Sequence, residues 1–539
     1  VRPAIRRVRI ARLASGFAVA VAIAFLAGEL LLRYLAYHPQ ASLGGLGQRV
    51  RVPQDFGDMS SDVDVWKLQF LWLDPAQAVA NADADPLLGW RNHLVAPDTY
   101  EHADFASLRG RTPVLLYGDS FAQCNTSADQ CFQGLLERSD LAERYCLLNY
   151  GVGGYGLDQV YLLLAHSVDL YRPLDPIVIV SILVEDDLDR AVLSFRGWPK
   201  PLLALVDGVP TPTAPVVTDP HEFLRRNPIT FPSFLWRYLL YKPVRSIHGL
   251  QKLLRGDTRR VGEKRAQNRA ILAAIERFLT ERHVRHFVLL FHIDSASIAP
   301  DPECDWQEPF LAGACRELGI RCVDTRPYLA FAAQSLNCDA FRFYGRHGPL
   351  AGHLNALGNV IAFEALRQGV LGDFGAADTA HLAGWLSGAE RSAMEQAPQP
   401  VEIAGRSALV TSPSGATAVR LDRAPDPTDK GGRSVDCVFV HGGDAPPTIV
   451  RIPLAHAARR FQAFASVVER PGAPCTDAPL ELDVRVDGAS VWRRKVLRGT
   501  QRMPIEVDLA GADELALVVI AHGIPSGCAW LRLAEPRIE

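Results

Sequence analysis

A serine after a tight turn, a glycine-rich run and a late histidine are the residues of this sequence whose types and order could do chemistry. Val114-Leu115-Leu116-Tyr117-Gly118-Asp119-Ser120 reads as a strand running into a turn, with a helix to follow over Cys131 to Leu136. Such a turn presents a serine hydroxyl at the C-terminal edge of a sheet, beside backbone N–H groups that can meet an oxyanion. The hydroxyl becomes a nucleophile when an imidazole reaches it. Gly-Asp-Ser alone is also ordinary turn composition. The run Asn149-Tyr150-Gly151-Val152-Gly153-Gly154-Tyr155-Gly156-Leu157-Asp158-Gln159 follows a second strand and opens a helix. It brings glycine backbone, which permits close approach, to the same edge. His353-Leu354-Asn355-Ala356-Leu357-Gly358-Asn359 starts a last helix and sets an imidazole on a loop of the same domain.

The elements that must position these residues have an α/β rhythm. Val114 to Tyr117, Cys146 to Asn149, Ile177 to Leu183 and Phe287 to Ile293 are short apolar runs of the buried, parallel-strand kind. Gln159 to Leu170, Lys264 to Thr280 and Asn355 to Leu371 are amphipathic helical stretches between and after them. The segment from about 198 to 257 interrupts the rhythm with prolines and aromatics and reads as an insertion. It either caps the site or packs against the lead-in of residues 36–111, which shows no sustained period.

In order, spacing and sequence these blocks resemble the SGNH (GDSL-type) hydrolases, especially bacterial membrane-anchored members carrying Asn-x-Gly-x-x-Gly-Tyr-Gly. The resemblance covers about Pro113 to Leu371. It implies a flavodoxin-like three-layer α/β/α fold and cleavage or transfer of acyl esters without a cofactor. By motif it makes Ser120 the nucleophile and a backbone oxyanion donor, Gly154 a second donor, and His353 the general base. The third block of the family reads Gly-Asn-Asp, and its Asn side chain donates to the oxyanion; here the stretch is Glu185-Asp186-Asp187-Leu188, with Asp186 in the Asn position. Losing such a donor costs on the order of 100-fold to 1000-fold in rate. Only a protonated Asp186 could still donate; otherwise the acidic cluster solvates a loop or meets arginines such as Arg190. The acid of the family's triad precedes the histidine by two or three residues, where this chain has Leu350 and Ala351. Either a Ser–His dyad operates, its ring oriented by a backbone carbonyl, or an acid such as Asp339 reaches in. His347 is a second imidazole in the same loop, either an alternative base or a surface residue.

Residues 401–539 carry short alternating runs such as Leu480 to Val486, Pro504 to Leu509 and Glu514 to Ile520, the pattern of a β-sandwich. Val484-Arg485-Val486-Asp487-Gly488, Val491-Trp492, Val507-Asp508-Leu509-Ala510-Gly511, Leu515-Ala516-Leu517 and Cys528-Ala529-Trp530, with Val438-Phe439-Val440-His441 as an earlier strand, are similar to the NPCBM group of carbohydrate-binding modules over roughly Ser412 to Glu539. Trp492 and Trp530 either stack on a sugar face or fill the core.

The chain as a whole fits an exported enzyme. Its 539 residues exceed one ordinary core. A net charge of -3 with 22% charged residues gives no basic excess, so nucleic acid is not an expected partner. Arg2, Arg6, Arg7, Arg9 and Arg12 precede an apolar run from Leu13 to Leu32 that ends at Arg33. Twenty apolar residues suffice to cross a bilayer, and the arginines keep the N-terminus cytoplasmic. A cleaved signal peptide, with Ala22-Ile23-Ala24 as its cleavage site, and a buried soluble helix are the alternatives. Ten cysteines in an exported chain can form disulfides, Cys124 and Cys131 first among them, while Cys437, Cys475 and Cys528 make an odd trio. No Cys-x-x-Cys pair or His/Cys cluster has zinc spacing, so no metal is expected.

The expected organisation is therefore a basic tip and transmembrane anchor over 1–35, a lead-in over 36–111, the SGNH-like domain over 112–372, a linker with a short helix over 373–400, and an NPCBM-like sandwich over 401–539. The expected protein is a single-pass bacterial inner-membrane O-acyl esterase or acyltransferase, most simply an acetyl one, whose partner is an acylated glycan in the periplasm. A non-catalytic glycan-binding or assembly protein on the same scaffold, and a lipid esterase, are the alternatives.

Overall fold

The computed structural model describes residues 2–41, 46–60, 62–72, 82–244, 257–300, 306–336, 340–345, 352–387, 399–403, 406–411, 419–425, 434–441, 447–454, 458–467, 480–497, 502–521 and 530–539. Asp339, His347, Leu350, Ala351, Cys475 and Cys528 lie outside them.

Helix α1 (Arg2–Tyr37) contains Ser15–Tyr37, which has a mean hydropathy of 2.1 and is 6% buried over its most apolar window. Among the described residues it is the one helix long and apolar enough to cross a membrane, a test that a signal sequence also passes. One side of its last turns is covered. Leu32 and Ala36 are buried in a cluster with Val50, Phe56, Val65 and Leu68 from the lead-in and with Phe231 and Phe234 from the insertion. The lead-in is more regular than its lack of period implies. It holds helix α2 (Val63–Trp72) and a hairpin of Ala82–Asp85 with Gly89–Asn92.

Five strands form one parallel sheet: β1 (Thr112–Gly118), β2 (Tyr145–Gly151), β3 (Ile177–Leu183), β4 (Arg285–Phe291) and β5 (Cys322–Asp324), in the order β2-β1-β3-β4-β5. That order is the flavodoxin-like one. β1 shows why the apolar runs are unbroken: Leu115 and Tyr117 enter one core, Val114 and Leu116 the other, so alternate side chains on both faces must be apolar. The first core is closed by α4 (Leu157–Ser167), through Leu163 and Leu164, and by α6 (Asp257–Glu281), through Ile271 and Ile275. The second is closed by α7 (Ala356–Val370), through Val360 and Ile361. Short helix α3 (Ser120–Gln123) leaves the C-terminal end of β1, and α5 (Phe234–Val244) belongs to the insertion.

The insertion packs against the lead-in. Phe56 meets Phe234 with ring centroids 6.1 Å apart, Phe70 meets His221 at 5.3 Å, and Asp64 accepts from the Thr230 amide and hydroxyl, each at 2.7 Å.

Two disulfides staple the α/β domain, Cys124–Cys131 as the spacing suggested and Cys315–Cys322, which joins the end of a helix to β5. Both have a sequence separation of 7. Replacing Cys124 and Cys131 together by serine is expected to cost about 2 kcal/mol, because a short loop is released in the unfolded chain. A lowered urea midpoint measures it, and an unchanged midpoint contradicts it.

The C-terminal part consists of a six-stranded and a five-stranded antiparallel sheet. Val450, Val484 and Leu517 from the first share one core with Val440, Phe461 and Leu533 from the second, so the sheets pack face to face. Thr448 to Ile452 alternate buried and half-buried, and Pro453 is exposed, as in a strand covered on one face. Trp492 is half-buried and packs against this core.

Candidate active site

Ser120 stands where β1 turns into α3. Asp119 has extended backbone, and its carboxylate accepts the Phe121 amide at 2.8 Å, capping the short helix and fixing the turn that exposes the hydroxyl. His353 precedes α7, which starts at an Asn355 cap accepting from the Gly358 amide at 3.0 Å. Its loop is held by a bridge between Tyr344 and Leu354, and its carbonyl accepts the Gly345 amide at 2.8 Å. These supports bring His353 Nε2 to 2.8 Å from Ser120 Oγ across 233 residues of sequence. For Nε2 to accept the serine proton, the ring proton must sit on Nδ1. The Phe121 ring lies 5.3 Å from the imidazole and restricts its rotation.

The glycine-rich block abuts the serine. A Cβ on Gly153 would come within 3.8 Å of Ser120 Cβ. The Gly153 amide donates to Gln123 Oε1 at 2.7 Å, and its carbonyl accepts from Trp90 Nε1 at 3.1 Å, so this residue is fixed from both sides. Gly154 has φ +83°, a conformation that favours glycine, and any side chain there would meet Arg196 at 2.7 Å. The next residue is anchored too, Tyr155 donating its hydroxyl to the Trp90 carbonyl at 2.5 Å. Trp66 of α2 contributes from the other side, its ring 4.9 Å under the Arg196 guanidinium. The lead-in is thus part of the wall of the site, a role no spacing in the sequence announces.

Asp186 departs from the expected donor. Its carboxylate contacts Arg190 and lies 3.4 Å from Arg196 Nη2. Burial opposes its ionisation, but the two guanidinium groups hold it below the usual carboxylate range. A carboxylate held this way accepts from the guanidinium groups, whereas donation to an oxyanion would need it protonated. The alternative partner, Arg190, is the one it meets. Arg190 is the tie of the site: its Nη1 donates to Asp119 at 2.9 Å, to the Tyr155 carbonyl at 2.9 Å and to Asp187 at 2.7 Å. It joins the serine turn, the glycine block and the acidic block. Asp187 is buried beside Asp119, and both effects push its carboxyl well above the usual range. Arg196 Nη1 donates to the Gly154 carbonyl at 3.3 Å, holding that peptide from its far side.

Behind this layer lies a second ionic group that the sequence did not disclose. His292, 1% exposed, bonds Glu185 Oε1 at 2.8 Å through Nδ1 and Asp324 Oδ1 at 2.9 Å through Nε2. Glu185, His292 and Glu308 bring ligand-type atoms within 4.8 Å of one another, but Arg326 contacts Glu308 and lies 3.0 Å from His292 Nδ1, supplying the positive charge there. Burial alone would lower the His292 pKa, yet the bonds to Asp324 and Glu185 more than offset it and raise it to about 9. A histidine raised on folding stabilises fully below its unfolded pKa of roughly 6.5 and loses that contribution as pH climbs through the folded value. Stability is therefore expected to fall across roughly pH 6.5 to 9. His292→Asn should flatten that slope in urea melts at several pH values; an unchanged slope would contradict it.

Comparison with known proteins divides the chain. Residues 412–539 match the NPCBM/NEW2 domain. No curated protein matches the chain significantly. Among solved structures, a CBM51 from Clostridium perfringens GH95 in complex with methyl-galactose is 18% identical, with 24% of this chain and 87% of that chain covered at a TM-score of 0.18. An acetyl xylan esterase, AlAXEase, is 13% identical over 48% of this chain and 99% of that one, TM-score 0.27. A two-domain esterase (CEX) active on acetylated mannans and co-crystallized with mannopentaose is 9% identical over 81% and 94%, TM-score 0.27.

Proposed function

We propose that this chain is an SGNH-type serine O-acyl esterase or acyltransferase acting on an acylated, most simply acetylated, carbohydrate outside the cytoplasm, anchored by α1. The contact of Ser120 Oγ with His353 Nε2 at 2.8 Å carries the reading. In the proposed reaction Ser120 Oγ attacks the acyl carbonyl while its proton passes to His353 Nε2. The Ser120 and Gly154 amides receive the oxyanion. Collapse breaks the bond to the sugar oxygen, and His353 returns the proton to that alcohol. Water, or the hydroxyl of a second acceptor, then takes the acyl group from Ser120 by the reverse sequence, giving hydrolysis or transfer. The carbohydrate part of the proposal rests on the NPCBM/NEW2 match, and the location outside the cytoplasm on α1 and on two disulfides, which persist in oxidising compartments.

One observation favours a second reading. Asp186 stands where the family's Asn donor does and is engaged by Arg190 and Arg196, an arrangement that a glycan-binding protein on a non-catalytic scaffold would tolerate. Labelling with a fluorophosphonate probe separates the two. The full-length protein is expected to label, and Ser120→Ala to abolish it. A folded wild-type protein that takes up no probe would leave the binding reading in its place.

A further inference from the structure

Helix α5 presents an apolar face to the outside. Trp236 is 57% exposed and Leu239 is 52% exposed, three residues apart and so on one side of the helix. The opposite side is committed to the lead-in, where Phe234 and Tyr238 pack on Phe56 and Arg237 pairs with Asp62.

The start of α5 is locked to α1. Glu29 accepts from the Phe234 amide at 3.1 Å, the Leu235 amide at 2.9 Å and the Ser233 hydroxyl at 2.7 Å, and also from Arg33 Nε at 2.5 Å. A charge inside an apolar helix is thereby satisfied by capping a second helix. Gly28 makes room for the crossing, since a Cβ there would come 2.9 Å from Leu235. The first turn of α5 therefore stands at the level of Gly28 and Glu29, while Leu26, Leu30 and Leu31 on α1, before and after that level, are 60%, 59% and 37% exposed. Tyr34 and Tyr37, at 48% and 46%, follow within two turns.

We propose that α5 lies in the headgroup region of the lipid bilayer, with Trp236 and Leu239 entering it, as a second membrane contact beside α1. The inference rests on the proposed reading of α1 as a membrane span. If lipid covers Leu30 and Leu31, it also reaches a helix that begins about 2–5 Å away along the α1 axis. Tryptophan and tyrosine favour that depth, where the ring is apolar and the N–H or O–H stays wet. A helix lying in the interface adds apolar burial to the anchor and restrains how the domain tilts about α1. Because the insertion, the lead-in and the Trp66–Arg196 contact are continuous, this would set the orientation of the serine site relative to the membrane.

Full-length protein in phosphatidylcholine–phosphatidylglycerol vesicles whose acyl chains carry bromine near the headgroup tests this. Bromine should quench a fraction of the tryptophan emission, and that fraction should disappear in Trp236→Phe, which keeps the face apolar. Alkaline extraction followed by flotation tests the span separately. Protein that floats with the vesicles but is quenched equally in wild type and Trp236→Phe would overturn the docking of α5 and leave the anchor standing. Protein released by alkali would remove the anchor and the inference together. Disulfide-linked dimers formed by Trp236→Cys in unquenched vesicles would assign the face to a second copy and likewise overturn it.

Discussion

His353→Ala is expected to lower kcat for ester turnover by roughly 100-fold to 10,000-fold, the range that a positioned general base contributes. The effect follows from a single contact. Ser120 Oγ is a weak nucleophile while it keeps its proton, and among the described residues the groups in contact with that oxygen are His353 Nε2 at 2.8 Å and the Asp119 carboxylate at 3.3 Å. Asp119 is committed to capping Phe121 and to Arg190, so it does not replace the imidazole. KM should change little, because the imidazole does its work on a proton in flight and not on the bound ester. Steady-state kinetics on an acetylated glycan and on a small aryl acetate would show the loss in kcat with both substrates. A decrease below about tenfold would mean that another base serves Ser120; His347 would then be the residue to replace next.

Legibility in the sequence follows the range over which each signal acts. The strands β1 to β4 were readable because burial on both faces demands an unbroken apolar run, and Ile177–Leu183 was placed to the residue. β5 escaped because three residues, Cys322–Asp324, are too few to show a pattern. Ser120 and Gly154 carry local marks, a turn and glycines, and a helix start follows His353. Arg190 is legible as a partner of the acidic block, but its tie to Asp119 is not, nor is the contact of Arg196 with Gly154. Those two contacts span 71 and 42 residues and are brought near by the parallel crossovers. The same holds for the insertion, whose prolines and aromatics carry no period that could say which surface Phe231 and Phe234 cover. Asp186 shows the reverse case. Its position is legible from the motif, but its partners include Arg196, which the motif does not contain.

Arg190→Met is expected to destabilise the α/β domain by about 3–5 kcal/mol, the cost of leaving a buried charge without its partner. The Arg190 side chain is 5% exposed, and those of Asp119 and Asp187 are 0% and 2%. Burial and the neighbouring Asp119 already push the Asp187 carboxyl up, and Asp186 keeps Arg196, so the penalty falls chiefly on Asp119. That residue caps α3 and lies against Ser120, hence a shift of Asp119 moves the nucleophile. Fluorophosphonate labelling of Arg190→Met should therefore slow even at temperatures where the variant remains folded. Arg190→Lys separates charge from geometry. An ammonium can neutralise Asp119 but cannot span Asp119, the Tyr155 carbonyl, Asp187 and Asp186 as the guanidinium does, so this variant should recover part of the stability and less of the labelling rate. Urea midpoints and labelling rates for the two variants, taken together, measure both effects. Equal midpoints for wild type and Arg190→Met would show that the three carboxylates do not depend on this arginine.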